Sequence, residues 1–187
     1  HRFGVNRSAS IKELKQFAVD FDFEVIEISK KEVEEVAVSS TKIRTTLEKG
    51  AIEKTNKYLN RDFSIHGTVI SGKKIGRTIG YPTANLEVSE SYKLIPALGV
   101  YITSSLIDGK RVYGMTNIGT NPTVSDGSVQ TIETYYLDFK GDLYDRQMEL
   151  FFHKRLRSEA KFDNLSSLVV TMKRDEQNTR AYAQQLE

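Results

Sequence analysis

Short segments in which apolar and polar residues alternate fill the chain beyond its first third, and they restrict the fold more than any other feature. The alternation is clear in residues 63–69 and 100–106. Asp108-Gly109, a pair typical of tight hairpin turns, connects the second of these segments to residues 112–118. The spacing therefore predicts antiparallel strands in a small barrel or sandwich.

The rest of this region predicts two more strands and a helix. Residues 131–137 and 147–156 are expected to form a hairpin through Lys140-Gly141. Apolar residues then recur at steps of three and four from Leu165, which predicts a C-terminal helix with a polar break around Asp175. We therefore predict a mostly β fold, an antiparallel barrel closed by that helix.

Residues 1–59 have a different rhythm, in which helical and strand-like segments alternate. Ser10-Ile11-Lys12-Glu13 has the spacing of a capping box at the start of a helix, and residues 23–28 predict a short strand. A further helix is predicted to begin at Ser39 or Ser40. Two strand-helix steps are too few for a complete open sheet, so we predict a partial α/β segment here.

The composition is that of an ordinary globular protein, with 39% hydrophobic and 28% charged residues. The 27 basic residues nearly balance the 25 acidic ones, so no long-range field favours nucleic acid or an anionic membrane as a partner. There is no cysteine, which excludes disulfides and thiolate metal sites and favours a cytoplasmic location. No apolar run approaches the roughly 18 residues that a membrane span needs.

The segment from Gly72 to Leu86 concentrates three glycines, three cations and a proline in the order G-K-K-I-G-R-T-I-G-Y-P-T-A-N-L. Glycine lets backbone N–H groups approach an anion closely, and the cations supply positive charge for phosphate. Thr83 and Asn85 are two residues apart, so both project to one side of an extended segment. A hydroxyl and an amide oxygen there suit Mg²⁺. The alternative interpretation is a glycine-rich turn with a solvated basic edge.

Glu133 lies within an apolar and aromatic strand pattern, I-E-T-Y-Y-L. Such a carboxylate is either solvated at the rim of a barrel or placed in a site as a general base. Residues 72–86, with their possible metal and phosphate ligands (the metal-phosphate segment), favour the role of general base. The charged loop 155–163 is either a solvated face or a flap that lays an aromatic and an arginine over a flat ring. His66 and His153 have no partner at metal-ligand spacing, and we interpret them as structural.

The segment 72–86 closely resembles the signature of the riboflavin kinase family, in which the tetrapeptide P-T-A-N is highly specific. Residues 1–59 resemble the C-terminal part of the FMN adenylyltransferase domain of bacterial bifunctional FAD synthetases, through Arg2-Phe3-Gly4, Arg7 and Ser39-Ser40-Thr41-Lys42-Ile43-Arg44. Further matches to the kinase family follow in its order, at Pro96, Gly99-Val100-Tyr101, Asn117-Ile118-Gly119, Asn121-Pro122-Thr123, Ile132-Glu133, Leu137-Asp138-Phe139, Leu143-Tyr144, Leu156-Arg157, Glu159 and Lys161-Phe162-Asp163.

The resemblance implies a Greek-key type barrel over residues 60–187 and the remnant of an α/β nucleotidyltransferase domain over residues 1–59. It implies ATP- and Mg²⁺-dependent phosphorylation of riboflavin at its ribityl 5′-hydroxyl to give FMN, with Glu133 as the base and Thr83 and Asn85 as Mg²⁺ ligands. The residues implied at ATP and its phosphates are Gly72, Lys73, Gly76, Arg77, Gly80, Pro82, Asn117, Asp138, Phe139, Leu143 and Tyr144, and those implied at the flavin are Leu156, Arg157 and Phe162.

Two other interpretations stay open on the sequence alone. One is a catalytically silent flavin- or nucleotide-binding module, and the other is an oligonucleotide-binding barrel, which would need a basic and aromatic face.

The histidine-containing motif with which the adenylyltransferase family opens does not precede Arg2. We therefore expect this chain to phosphorylate riboflavin but not to adenylylate FMN. Chromatography of a reaction with FMN, ATP and Mg²⁺ should show no FAD, while a parallel reaction with riboflavin should show FMN. Formation of FAD by the purified chain would contradict this expectation.

Overall fold

The computed structural model describes residues 2–3, 6, 8–27, 32–33, 36–72, 75–122 and 128–186. It has two compact units, residues 1–38 and residues 39–187. Within the described ranges, no helix is long and apolar enough to cross a membrane. The strands are β1 (Arg2–Phe3), β2 (Ala9–Ser10), β3 (Glu32–Val33), β4 (Val36–Ala37), β5 (Phe63–Ile70), β6 (Ala84–Glu87), β7 (Gly99–Ile107), β8 (Lys110–Pro122), β9 (Ser128–Tyr136) and β10 (Gln147–Arg157), and the helices are α1 (Ile11–Asp20), α2 (Ser40–Glu48), α3 (Ile52–Leu59), α4 (Ile75–Thr78) and α5 (Leu165–Gln184).

The first unit contains α1 and two short antiparallel pairs, β1 with β2 and β3 with β4. The predicted capping box is confirmed, because the Glu13 carboxylate accepts a 2.8 Å hydrogen bond from the backbone N–H of Ser10. The strand predicted over residues 23–28 is wrong for residues 23–27, which have no regular structure because no described neighbour pairs with them, and Ile28 lies outside the described residues. The assignment of residues 1–59 to a nucleotidyltransferase remnant stays a prediction.

In the second unit, α2 and α3 pack against each other and against the barrel. Leu47 on α2 and Ile52 on α3 are almost completely buried, and both belong to the same core cluster as Tyr101 and Phe152. The two helices are therefore part of the same compact unit as the strands that follow. A domain boundary after residue 59 stays a prediction.

Six strands form a closed barrel in the order β10-β5-β6-β9-β8-β7, with every neighbouring pair antiparallel. The turn between β7 and β8 has φ angles of 50° at Asp108 and 78° at Gly109, which is the left-handed backbone that tight hairpins require. The predicted antiparallel barrel with a C-terminal helix is confirmed.

The predicted hairpin through Lys140-Gly141 is wrong, because β9 and β10 are not neighbours. β9 lies between β6 and β8, whereas β10 lies between β5 and β7. Without β10, the other five strands would form an open sheet with β5 and β7 as its edges. Pairing of β10 with both edges closes the barrel and removes two rows of unpaired backbone groups.

A chain of threonine hydroxyls crosses three adjacent strands of the barrel. The Oγ1 atoms of Thr103 and Thr116 are 2.7 Å apart, and those of Thr116 and Thr134 are also 2.7 Å apart. All three residues are buried, and the hydrogen bonds satisfy polar groups that water cannot reach. These hydrogen bonds also help to fix the register of β7, β8 and β9 relative to one another.

Helix α5 is continuous, so the predicted break around Asp175 is wrong. Asn164 caps the helix by accepting a 2.8 Å hydrogen bond from the backbone N–H of Ser167. Asp175 is only 4% exposed, and its carboxylate accepts a 2.9 Å hydrogen bond from Nε of Arg157 on β10. The polar residue interrupts the apolar pattern because it forms a buried ion pair with the barrel.

His153 lies at an irregularity of β10, where the register to β7 shifts between Phe152 and Lys154. Its ring is buried, with Nε2 2.8 Å from Oγ of Ser104 and Nδ1 3.3 Å from Oδ2 of Asp62. Burial lowers the pKa of His153 and outweighs the nearby Asp62 carboxylate, which acts in the opposite direction.

This burial predicts a pH-dependent stability. The folded-state pKa of His153 lies below its ordinary value of 6.5, so the unfolded chain takes up a proton more readily as the pH falls. The contribution of His153 to the free energy of unfolding should be constant at pH values above 6.5, the ordinary pKa, and should decrease as the pH drops below 6.5. We expect His153→Gln to flatten this decrease in urea unfolding between about pH 8 and pH 5.

His66→Gln is the matched control, since the His66 ring is largely exposed beside Glu149. In this variant the decrease caused by burial of His153 should remain. A His153→Gln protein whose unfolding free energy still decreased as steeply as that of the wild type would contradict the assignment.

Candidate active site

A row of polar side chains crosses three neighbouring strands of the barrel. Glu133 on β9 pairs directly with Asn85 on β6 and, on its other side, with Asn117 on β8. Directly paired residues project from the same face of a sheet. The structure therefore gathers three predicted site residues into one row on the same face of the sheet.

Thr83 joins this row from the residue before β6 begins. Its Oγ1 donates a 3.3 Å hydrogen bond to Oε2 of Glu133. The hydroxyl and the carboxylate come from segments 50 residues apart in the sequence, and the pairing of β6 with β9 brings them together. The sequence-based expectation that Glu133 lies near the metal-phosphate segment is consistent with this contact.

The glycines of the segment 72–86 shape the approach to Thr83. Gly80 has a φ of 83°, a conformation that L side chains rarely adopt, and it lies two residues after the end of α4 at Thr78. The backbone N–H of Tyr81 donates a 2.8 Å hydrogen bond to the carbonyl oxygen of Gly76. A Cβ at Gly76 would overlap this same region of the Tyr81 backbone. The turn is therefore compact and leads directly into Pro82 and Thr83.

Thr83 lies on the wall of two separate clefts. The first has a volume of about 360 Å³ and includes five residues predicted at ATP. Thr134, the last residue of the buried threonine chain, also lines it. The predicted residues lining this first cleft are Arg77, Pro82, Phe139, Leu143 and Tyr144.

The second cleft, of about 270 Å³, lies between the barrel and α5 and is lined mainly by apolar side chains. Glu133 and Asn117 contribute polar groups from the barrel, and Arg157 and Phe162, the two residues predicted at the flavin that lie here, also line this cleft. The guanidinium of Arg157 lies 5.7 Å from the centre of the Phe162 ring. The other apolar and aromatic residues that line the second cleft are Ile79, Val100, Met115, Tyr135, Ala160, Leu168 and Met172.

Several predicted residues lie elsewhere. Asn85 belongs to the row beside Glu133 but lines a third cleft instead of the first or second, and its amide lies against Gly72. Asp138 does not line the first cleft, because Arg180 on α5 holds its carboxylate through bonds of 2.6 and 2.9 Å. Leu156 packs in a small apolar cluster with Tyr81, Val100 and Met115 and does not line the second cleft. Lys73 lies outside the described residues.

Asn117 and Gly76 were predicted at ATP but line the second cleft, together with Arg157 and Phe162, which were predicted at the flavin. The residues that the sequence interpretation missed are on α5. Asp175 is the partner of Arg157, and Oε2 of Glu176 accepts a 3.0 Å hydrogen bond from the hydroxyl of Tyr81. A polar residue in the apolar stripe of a helix was the available signal for Asp175, but the sequence does not show which strand it faces.

The site contains few acidic or histidine ligands. Among the described residues, no group of three or more histidines, aspartates or glutamates could hold a metal ion.

Comparison with known proteins agrees with this architecture. The Flavokinase model, which describes riboflavin kinase, matches residues 59–183. A bifunctional riboflavin kinase/FMN adenylyltransferase from Listeria monocytogenes is 38% identical over 187 residues, covering 100% of this chain and 59% of the relative. One from Pseudomonas fluorescens is 36% identical over 181 residues, covering 97% of this chain and 58% of the relative.

Among solved structures, a crystal structure named as a macrolide-efflux protein from Streptococcus pneumoniae has a TM-score of 0.86 and 34% identity. The match covers 96% of this chain and 57% of that one. The chain thus spans a little under three fifths of the length of these proteins.

A six-stranded antiparallel barrel with two clefts, and with a threonine that lines both and contacts a glutamate in the second, has the features of a protein that binds small molecules. The match to the riboflavin kinase model over residues 59–183 identifies the family. This chain belongs to the riboflavin kinase family.

The contact between Gly72 and Asn85 generates a direct test of the site. A Cβ at Gly72 would overlap the side-chain amide of Asn85, and this amide can turn away because it is the end of a flexible side chain. We expect Gly72→Ala to lower riboflavin kinase activity by about tenfold or more, because it displaces a site group, while Tm changes by less than about 2 °C.

Gly67→Ala is the contrasting control. A Cβ at Gly67 would overlap the backbone carbonyl of Glu87, which cannot move without disturbing the pairing of β5 with β6. This variant should lower Tm clearly. Full kinase activity in Gly72→Ala would show that the position of the Asn85 amide does not matter.

Proposed function

We propose that this chain phosphorylates riboflavin to FMN with ATP as the phosphoryl donor. The oxygen of the ribityl 5′-hydroxyl forms a bond to the γ-phosphorus, and the bond from that phosphorus to the β,γ-bridging oxygen breaks. The hydroxyl proton passes to the Glu133 carboxylate, and ADP leaves. Membership of the riboflavin kinase family supports this reaction.

The observation that carries the proposal is the position of the Thr83–Glu133 pair. Thr83 lines both clefts, and Glu133 lines the second at a distance of 3.3 Å from the Thr83 hydroxyl. A phosphoryl group held in one cleft and a hydroxyl group held in the other would meet at this boundary. Phosphoryl transfer depends mainly on such positioning and on charge stabilisation.

In this proposal the first cleft holds ATP. Arg77 offers a guanidinium for phosphate oxygens, and Phe139, Leu143 and Tyr144 offer apolar and aromatic surface for the rest of the nucleotide. Pro82 lies next to Thr83 on the same wall. The cleft thus combines a cation with apolar and aromatic surface.

The second cleft holds riboflavin. Its lining is mainly apolar, as a flat ring system requires, with polar groups from the barrel and from α5 among the apolar ones. Phe162 and Arg157 provide an aromatic face and a cation beside it. In this proposal Asn117, which pairs with Glu133 across β8 and β9, binds a ribityl hydroxyl.

Mg²⁺ fits the neutral oxygens that Thr83 and Asn85 provide, because it prefers oxygen ligands and takes the remainder from water and phosphate. These two residues would hold the ion, and when bound it would supply charge neutralisation for the phosphates of ATP. The direct pairing of Asn85 with Glu133 supports the placement of both groups on the same face of the sheet.

The second activity named for the curated relatives, FMN adenylylation, is a property that we propose for the longer parent protein only. The substrates of the kinase reaction are small molecules. Neither nucleic acid nor a membrane is required as a partner. A cytoplasmic location stays a prediction.

Substitution of Glu133 separates a kinase from a silent binding module. We expect Glu133→Gln to lower kcat by about 10²–10⁴-fold, because the amide cannot accept the hydroxyl proton, while the Kd for riboflavin changes little. The measurements are FMN formation by chromatography and riboflavin binding by quenching of flavin fluorescence.

Glu53→Gln is the matched control, since Glu53 is exposed in the first turn of α3. It should keep the activity of the wild-type chain. An active Glu133→Gln protein would remove Glu133 as the base, and absence of FMN formation by the wild-type chain would refute the proposed function.

A further inference from the structure

One helix contacts the walls of both clefts. Asp175, Glu176 and Arg180 on α5 each bind a side chain that belongs to, or adjoins, a different site segment. Glu176 and Arg180 are four residues apart and are hydrogen bonded to each other at 2.9 and 3.0 Å. Asp175 is the residue before Glu176 and therefore faces about 100° away around the helix.

Arg180 reaches the turn that precedes the wall of the first cleft. Its guanidinium donates hydrogen bonds to both carboxylate oxygens of Asp138. These hydrogen bonds are the main reason why the pKa of Asp138 is lowered. Asp138 has a φ of 56°, so the backbone turns sharply at this residue. Phe139, the next residue, lines the first cleft.

Glu176 reaches the segment that carries Thr83. The Tyr81 hydroxyl is its hydrogen-bond donor at 3.0 Å, and Tyr81 is only 6% exposed. The ring of Tyr81 also packs edge-on against Tyr135, with 4.9 Å between the ring centres. Burial, and then the bond to Glu176, raises the pKa of Tyr81 to about 12, so the phenol remains a donor at neutral pH.

Asp175 reaches the wall of the second cleft. Its Oδ2 is 2.9 Å from both Nε and Nη2 of Arg157. The Asp175 side chain is nearly inaccessible, whereas Arg157 remains partly exposed and lies against Phe162. A buried carboxylate with this single strong cation partner restricts where the guanidinium can lie.

We propose that α5 is a positioning element for both substrates, in which the Glu176–Arg180 pair sets the nucleotide cleft and Asp175 sets the flavin cleft. None of the three residues is proposed to touch the reacting atoms. They act through Tyr81, Asp138 and Arg157 respectively. The inference rests on the proposed function, because it assigns one substrate to each cleft.

The inference predicts that the two substrates respond to different substitutions on the same helix. Arg180→Gln should raise the KM for ATP by about 3- to 10-fold and leave the KM for riboflavin unchanged, because it releases the turn at Asp138. Asp175→Asn should raise the KM for riboflavin by a similar factor and leave that for ATP unchanged. Initial rates over a grid of both substrate concentrations measure these values.

Asp138→Asn tests the route of the first effect. Asparagine tolerates the left-handed backbone at this position but removes the charge that Arg180 binds. Asp138→Asn should therefore raise the KM for ATP as Arg180→Gln does, and the double variant should be no worse than either single one.

Arg174→Gln is the matched control. It removes the same guanidinium from the same helix, and Arg174 is exposed and has no ion pair among the described residues. Its two KM values should equal those of the wild-type chain. Thermal unfolding of every variant tests whether the helix remains docked.

Equal increases of both KM values in Arg180→Gln and in Asp175→Asn, in step with a lower Tm, would show that α5 only stabilises the fold and would overturn the inference. Unchanged KM values would overturn it as well. If the wild-type chain formed no FMN, the proposed function would fail instead, so the two failures are distinguishable.

Discussion

The pairing of β6 with β9 is the constraint on which the site depends. It places Asn85 opposite Glu133 and brings the Thr83 hydroxyl to the carboxylate of an acid 50 residues away. A slip of one residue in this register would turn Glu133 to the opposite face of the sheet. The closed barrel resists such a slip because β9 is also paired with β8 along its whole length, including Asn117 opposite Glu133.

Closure of the barrel also explains how much of the fold could be predicted. Alternating hydrophobicity is a local property, so it identified β5, β7 and the turn at Asp108-Gly109 correctly. The position of β10 is not local. It pairs with β5 and β7 because these are the two edges that remain open, whereas sequence proximity favoured a hairpin with β9. Strand existence was predictable here, and strand partnership was not.

The site shows the same division. Resemblance to the family and the chemistry of the residues indicated Thr83 and Glu133 as partners, and the structure places them in contact. The role of α5 could not be predicted, because its polar residues are interpreted correctly only when their partners on the barrel are known. From the sequence, Asp175 predicts a break in the helix, and only the ion pair with Arg157 explains why a polar residue occurs at this position. The sequence likewise does not show which of the predicted residues line the first cleft and which line the second.

We propose that the phosphoryl group passes from ATP to riboflavin at the boundary between the two clefts. A crystal structure with riboflavin and a non-hydrolysable ATP analogue tests it most directly. We expect the ribityl 5′-oxygen within hydrogen-bond distance of the Glu133 carboxylate, with the terminal phosphate of the analogue beside Thr83. A ribityl chain that ended away from Glu133, or a terminal phosphate outside the first cleft, would contradict it.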